Sequence, residues 1–410
     1  MKALLKTMVL VALFLTLCRV IPVTAQYAGW KHSATLTILT SPEGADLPVS
    51  AVVEQFPLLV RLHRDWFDFS QTKPGGEDVR FSSASGEALT FEIDEWDAAQ
   101  GMASIWVRMP VIRGNERQAL RVHWGNPVAR NESNGQAVFN DSNGYRSVWH
   151  LGHVVADTVG TLSSKDNGTT LTAGMVGLGR HFAGGQGVFG GDKITNYPSA
   201  GAAHTTEAWF RAEQPNVTLV GWGNEGGGRG SKVRMQLRSP PHLRIDSDFS
   251  DVKGQSRLAM GEWNHVVHTY GDGPRRIYIN GLLDGEATTK LDIKSSAHLW
   301  LGGWYDHYDF IGDLDEVRVS AVARSATCVR LEYENQKPLQ TLVGPLVTPG
   351  SAFSVSPSRA TVPEGTSLKF MAPADGAQKM YWSVVREGRD VVLAADSRSF
   401  RLDAWQVTGD

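Results

Sequence analysis

The sequence predicts an all-β chain built as consecutive sandwiches, and three observations carry that expectation. Short segments alternate apolar with polar residues, as a strand with one buried face must. Clusters of Gly, Asn, Asp and Pro separate these segments at short spacing. Helix signals are scarce. Strands are expected at 56–62, 103–109, 120–124, 276–279 and 314–319. Asn280-Gly281, set between Ile279 and Leu282, predicts a two-residue hairpin, because such a turn needs positive φ at both central positions. Asp284-Gly285 repeats the punctuation a few residues later.

The segment ahead of the first strand reads as an export signal, residues 1–25. Lys2 and Lys6 form a positive end, and residues 8–18 are an apolar run of 11 before Arg19. That run is shorter than the roughly 20 apolar residues a bilayer span needs. Val23-Thr24-Ala25 supplies small residues for cleavage after Ala25. The expected product is secreted, periplasmic or at the cell surface, with no transmembrane segment in the mature chain. Losing Lys2, Lys6 and Arg19 leaves 37 basic and 43 acidic residues, a net charge of −6 instead of −3. An acidic chain lacks the basic face that neutralises phosphates, which excludes a nucleic-acid partner. Two cysteines permit no disulfide framework and no Cys-rich zinc cluster. Only Cys328 survives cleavage, and a small buried hydrophobe is its expected role.

The mature chain divides into three. Residues 27–143 are strand-rich and glycine-poor, residues 144–347 are glycine-rich, and Thr348-Pro349-Gly350-Ser351 is a linker. Residues 353–410 form the third unit. Its Val362-Pro363-Glu364-Gly365-Thr366 turn is typical of immunoglobulin-like modules, which need about 100 residues. This unit is expected to be a partial, incomplete immunoglobulin-like β domain.

In the middle segment, Thr206-Glu207-Ala208-Trp209-Phe210 is followed by Gly261-Glu262-Trp263-Asn264-His265-Val266-Val267. Arg276-Ile277-Tyr278-Ile279-Asn280-Gly281, Leu301-Gly302-Gly303 and 310–319 complete the series. This order of blocks resembles the LamG-like jelly roll of the concanavalin A-like lectin/glucanase superfamily. The first segment carries Phe56-Pro57-Leu58-Leu59-Val60, Phe67-Asp68-Phe69-Ser70, Asp78-Val79-Arg80-Phe81, 91–97, 106–110, Trp124-Gly125-Asn126-Pro127 and Val148-Trp149-His150-Leu151. These resemble an uncharacterised bacterial domain of unknown function that commonly precedes such jelly rolls. Some members of that family are fused to MotA/TolQ/ExbB-type proton-channel subunits. The resemblance therefore implies, as one alternative, a structural periplasmic part of an envelope transport complex. Channel activity does not carry over, because the membrane segments it needs are lacking here.

Three constellations invite chemistry. Retaining β-glucanases of the jelly-roll superfamily carry Glu-x-Asp-x-x-Glu on one strand, and Glu92-Ile93-Asp94-Glu95-Trp96-Asp97 is similar. Alternation puts Glu92 and Asp94 on one face, but Asp97 replaces the acid/base Glu and is one methylene shorter. A glycoside hydrolase using Glu92 and Asp94 is thus a second alternative; a solvated, half-buried strand explains the same pattern. Gly221-Trp222-Gly223-Asn224-Glu225-Gly226 satisfies a dinucleotide fingerprint formally. Gly227-Gly228-Arg229-Gly230 cannot start the helix that would hold a pyrophosphate, so a loop between strands is expected. His265 and His268 lie three apart on a strand, point to opposite faces and cannot share an ion.

For ligand binding, Trp304-Tyr305-Asp306-His307-Tyr308-Asp309 is the most suggestive stretch. Sugars present apolar C–H faces and fans of hydroxyls, so a site needs aromatic platforms beside carboxylates or amides. Trp304, Tyr305, Asp306 and Tyr308 supply that combination, and Trp222 with Asn224 offers a second aromatic loop. Asp306 and Asp309 could also serve calcium, a hard cation that wants several oxygens. The bland reading is an aromatic loop that covers one end of the core. The expectation is a non-catalytic exported binding or adhesion module whose partner is a glycan or a cell-surface protein.

Overall fold

The computed structural model describes residues 26–42, 44–271, 273–305, 307–338, 343–345, 354–363, 366–372, 381–386, 389–395 and 399–402. The expected signal segment lies outside the described residues, as does Asp306. The protein is all-β. Seven strands open it: β1 (His32–Leu39), β2 (Val52–His63), β3 (Arg80–Ser83), β4 (Ala88–Leu89), β5 (Phe91–Asp97), β6 (Met102–Arg113) and β7 (Arg117–Trp124). A one-turn helix, α1 (Gly135–Val138), follows. Next come β8 (Tyr145–Trp149), β9 (Lys165–Asn167), β10 (Thr170–Ala173), β11 (Leu178–Ala183), β12 (Gly187–Ile194), β13 (His204–Ala212), β14 (Val217–Gly223) and β15 (Lys232–Arg238). The series continues with β16 (His242–Asp246), β17 (Val252–Lys253), β18 (Asn264–Tyr270), β19 (Arg275–Ile279), β20 (Leu282–Ala287), β21 (Ala297–Leu301) and β22 (Ile311–Ser320). Helix α2 (Ala326–Gln336) and β23 (Val343–Pro345) precede four short strands, which pair as β24 (Leu368–Met371) with β27 (Ser399–Leu402) and β25 (Tyr381–Arg386) with β26 (Arg389–Ala395).

The first sandwich packs the sheet β23-β1-β7-β3-β4 on the sheet β2-β6-β5. Leu58, Val60 and Leu62 of β2 and Ala103, Ile105 and Val107 of β6 point into this core. Their neighbours Leu59 and Trp106 point the other way into a second buried cluster with Val138, Phe139, Tyr145 and Val148. Both faces of this sheet are therefore covered, which explains an apolar run at 56–62 where a one-faced strand would alternate.

The second sandwich stacks β10-β11-β22-β13-β18-β19-β20, with β8 also on β22, against β17-β16-β15-β14-β21-β12-β9. One large core fills the gap, with Trp149, Phe210, Trp222, Phe182 and Phe310 among its aromatic members. The Asn280-Gly281 hairpin forms between β19 and β20 with φ of 50° and 77°, the positive values a two-residue turn requires. The glycine-rich stretch is the β14–β15 connection, a loop between strands.

Helix α2 joins the two sandwiches. Ser325 caps it by accepting from Cys328 N–H at 3.2 Å. Val329 packs on Val267 and Tyr278 of the second sandwich, while Cys328 and Leu331 enter the core of the first. Asn335 completes the bond between domains: its Oδ1 accepts from Leu59 N–H at 2.7 Å and its Nδ2 donates to Leu59 C=O at 2.9 Å. Strand β23 then pairs with β1. The chain that leaves the second sandwich thus finishes as an edge strand of the first, although 144–347 was expected to form one unit.

Candidate functional site

Alternation along β21 turns Ala297, Leu299 and Leu301 into the core and leaves His298 and Trp300 on the outer face of the seven-stranded sheet. The same alternation puts Phe189 of β12, Lys232 and Arg234 of β15, and Arg244 and Asp246 of β16 on that face. Position 221 of β14 is glycine, and a Cβ there would lie 2.5 Å from the Trp304 ring. A Cβ at Gly187 would lie 2.0 Å from Tyr308. Two glycines therefore make seats on which the 303–309 loop folds back over the sheet. A reciprocal backbone pair between Trp304 and His307, at 3.0 and 3.1 Å, closes the turn. Asp309 fastens its far end by accepting from Thr218 N–H at 2.8 Å.

The result is a continuous aromatic cluster. Trp300 stacks on Tyr305 at 4.8 Å and 27°, meets Trp304 edge-on at 5.3 Å and lies 5.4 Å from Phe189. His298 stacks on Trp300 at 5.6 Å, and its Nδ1 pairs with Asp192 at 2.5 Å. Trp300 and Trp304 are each 4% exposed, whereas Phe189, His298 and Tyr305 are half-exposed and form the accessible skin. The Trp300 Nε1 has no acceptor among the described residues.

Charge gathers beside the rings. Trp304 Nε1 donates to the Glu225 carboxylate, which Lys232 also reaches at 2.8 Å. Burial would raise the Glu225 pKa, but the bonds from Lys232 and Trp304 outweigh it and hold the carboxyl below its ordinary value. Burial likewise opposes the charged form of Lys232, yet Asp248 and Glu225 keep it firmly protonated.

Of the residues expected to bind, this face brings together Trp304, Tyr305 and Tyr308. Trp222 is a correction. It is fully buried in the core, with its Nε1 donating to Thr206 Oγ1 at 2.8 Å, and has no face to offer a ligand. Asn224 fixes its turn by donating from Nδ2 to the Ser296 carbonyl at 2.6 Å. Asp309, a proposed calcium ligand, is occupied by Thr218 and lies 3.7 Å from Arg234. Sequence reasoning missed Phe189, His298 and Trp300. The period-2 run Ala297-His298-Leu299-Trp300-Leu301 was the available signal.

Glu92 and Asp94 do share a face, but that face meets the second sandwich. A β-bulge at Asp94 interrupts the β5–β6 register, and another in β22 leaves Glu316 at φ 48°. Both bulges aim carboxylates at His150. Its Nδ1 lies 2.7 Å from Glu316 and its Nε2 3.3 Å from Glu92. Burial favours neutral His150, but Glu316, Asp94 and Glu92 outweigh it and raise its pKa well above the ordinary range. Burial pushes Asp94 up to about 7, against the pull of His150. Asp94, His150 and Glu316 bring ligand atoms within 4.8 Å of one another, so they could hold a metal on spacing alone. The protein's own cations already fill that role, with Arg318 2.6 Å from Glu316 and both His150 nitrogens facing carboxylates. His265 and His268 do diverge: His265 stacks toward Trp209 and Tyr333, and His268 faces His204 and Arg275.

Among the described residues, no helix is long and apolar enough to cross a membrane. Residues 75–150 match the family described as a domain of unknown function (DUF2341). No curated protein matches the chain. Among solved structures, domain 4 of AbnA, an extracellular arabinanase of Geobacillus stearothermophilus in complex with arabinotriose, is 18% identical. That likeness covers 46% of this chain and 97% of that one, with a TM-score of 0.38. The binding domain of Paraclostridial Mosquitocidal Protein 1 is 13% identical, covering 47% and 52%, with a TM-score of 0.37. The ligand-binding domain of botulinum neurotoxin serotype D, in complex with N-acetylneuraminic acid, is 12% identical, covering 49% and 53%, with a TM-score of 0.35. The chain spans about half the length of these two toxin domains. Residues 185–330, which hold the aromatic face, match the concanavalin A-like lectin/glucanases superfamily.

Proposed function

We propose that the chain is a non-catalytic module that binds a carbohydrate on the outer face of the seven-stranded sheet. The observation that carries this is the joined cluster of Phe189, His298, Trp300, Trp304 and Tyr305, rimmed by Asp192 and Glu225. The half-exposed rings offer flat apolar surface to a sugar's C–H face, and the carboxylates accept from its hydroxyls. Glu92 and Asp94 face His150 and Glu316 across the domain junction, a position that favours an ion-pair role over attack on a glycosidic bond.

The test is a glycan array probed with the chain, its Tyr305→Ala variant, and each again with a calcium chelator. Binding to at least one glycan is expected, weakened at least tenfold by Tyr305→Ala. Chelation should leave it unchanged, because Asp309 is held by Thr218. Absence of glycan binding would overturn the reading. Release of reducing sugar from β-glucans, lost in Glu92→Gln, would replace it with hydrolysis.

A further inference from the structure

At one end of the second sandwich, the β16–β17 turn carries Phe249, which is 88% exposed and has a φ of 65°. A bulky side chain at positive φ is a genuine outlier, and such a conformation persists only where its surroundings enforce it. Both neighbours of Phe249 are tied down. Asp248, itself at φ 47°, lies 2.8 Å from Lys232 Nζ and accepts from Ser231 Oγ at 2.7 Å. Ser250 accepts from Arg229 Nε at 3.2 Å through its Oγ, and from Thr289 Oγ1 at 3.0 Å through its carbonyl. That carbonyl also accepts from Arg275 beneath, a guanidinium only 1% exposed, which donates to Ser247 Oγ at 2.9 Å. Its Nε and Nη2 lie 3.3 and 3.2 Å from His268 Nε2, and no carboxylate pairs with Arg275 within 4.0 Å among the described residues.

Beside the turn lies a cavity of about 470 Å³ lined by Arg229, Thr288, Thr289, Lys290, Leu291 and Asp292. Lys294 pairs with the Asp292 carboxylate at 2.6 Å, which leaves Arg229 and Lys290 to set the sign of the wall. The volume falls in the range of small-molecule sites, roughly 300–1,000 Å³. Arginine's planar fork matches a carboxylate in two parallel bonds, which a spherical anion cannot exploit as fully.

We propose that this loop end is a second binding site, for a saccharide bearing a carboxylate. The carboxylate meets Arg229, with Lys290 adding charge, the sugar ring lies on Phe249, and its hydroxyls reach Thr288 and Thr289. This inference stands apart from the sheet-face reading: the two share only Lys232, which reaches Asp248 beside Phe249 and Glu225 beside the rings.

The experiment is titration calorimetry of the chain with trisaccharides of galacturonic, glucuronic and mannuronic acid, and with sialyllactose. Neutral sugars of matched length serve as controls. At least one acidic sugar should bind tenfold more tightly than its neutral counterpart, with affinity falling as salt rises. Arg229→Gln should weaken that binding at least tenfold. Phe249→Asn should do the same while the melting temperature holds or rises, because Asn accepts a left-handed backbone. Tyr305→Ala should leave it unchanged, which separates this site from the sheet face. Equal affinity for acidic and neutral sugars, no acidic sugar bound, or full affinity in Phe249→Asn would each overturn the proposal.

Discussion

Trp222 and Trp300 sit on paired strands of one sheet, and the pleat alone sends the first inward and the second outward. Trp222→Ala empties a fully buried site and should cost about 3–5 kcal/mol, lowering the melting temperature sharply. Tyr305→Ala, at a half-exposed site, should move it little; chemical denaturation of both variants checks the contrast. Asp94 and His150 give the domain junction its pH dependence. With its pKa raised from 3.8 to about 7, Asp94 holds its proton longer in the folded chain, so stability falls as pH climbs between those values. His150, raised above 6.5, contributes stability that is complete below 6.5 and lost as pH passes through its folded value. Glu316 acts oppositely. Burial would raise it, but His150 and Arg318 hold it below 4.5, so its contribution is lost as pH falls through that depressed value. The summed contribution of these three groups is therefore largest near a pH of about 4–5 and declines as pH climbs toward 7. Thermal melts across this range should show a shallower decline between pH 4 and 7 for Asp94→Asn. An identical profile in that variant would contradict the assignment.

The β-strands were legible because alternation, Asn280-Gly281 and the glycine punctuation are local signals. Helix α2 was not, for a physical reason. Its buried positions include Glu332 and Glu334, which pair with Arg324 and with Arg330 and Lys337, and Asn335 and Gln336, which bond to a strand of each sandwich, so no apolar stripe marks it. The 303–309 loop was legible in composition only. Its shape depends on glycines at 221 and 187, more than 80 and 110 residues earlier, and no spacing within the loop reveals them. Gly221→Val should lift Trp304 off the sheet and weaken glycan binding at least tenfold, while the two-sandwich fold survives. Unchanged affinity in that variant would show that the loop's seat does not matter for recognition.

Across the whole molecule, the two sheets of the second sandwich have different fates. One is covered by the first sandwich and by α2, through Trp106, His150, Asn335 and Trp209. The other is free of that cover, and there the aromatic cluster lies. Sequence resemblance assigned both domains in order, but could not say that residues 326–345 stitch them together, since that depends on side chains such as Asn335 meeting a backbone 276 positions away. The acidic motif 92–97 illustrates the limit: its alternation was read correctly, while its partner, His150, belongs to the far side of a junction only the tertiary fold creates. The central claim is that the uncovered sheet face recognises sugar. It is tested most directly by fluorine NMR of the chain labelled with 5-fluorotryptophan, titrated with the glycan that binds best on the array. The account predicts saturable shifts at Trp300 and Trp304, with Trp222 and Trp106 unmoved. Shifts confined to Trp106, or none at Trp300 and Trp304 at saturating glycan, would contradict it.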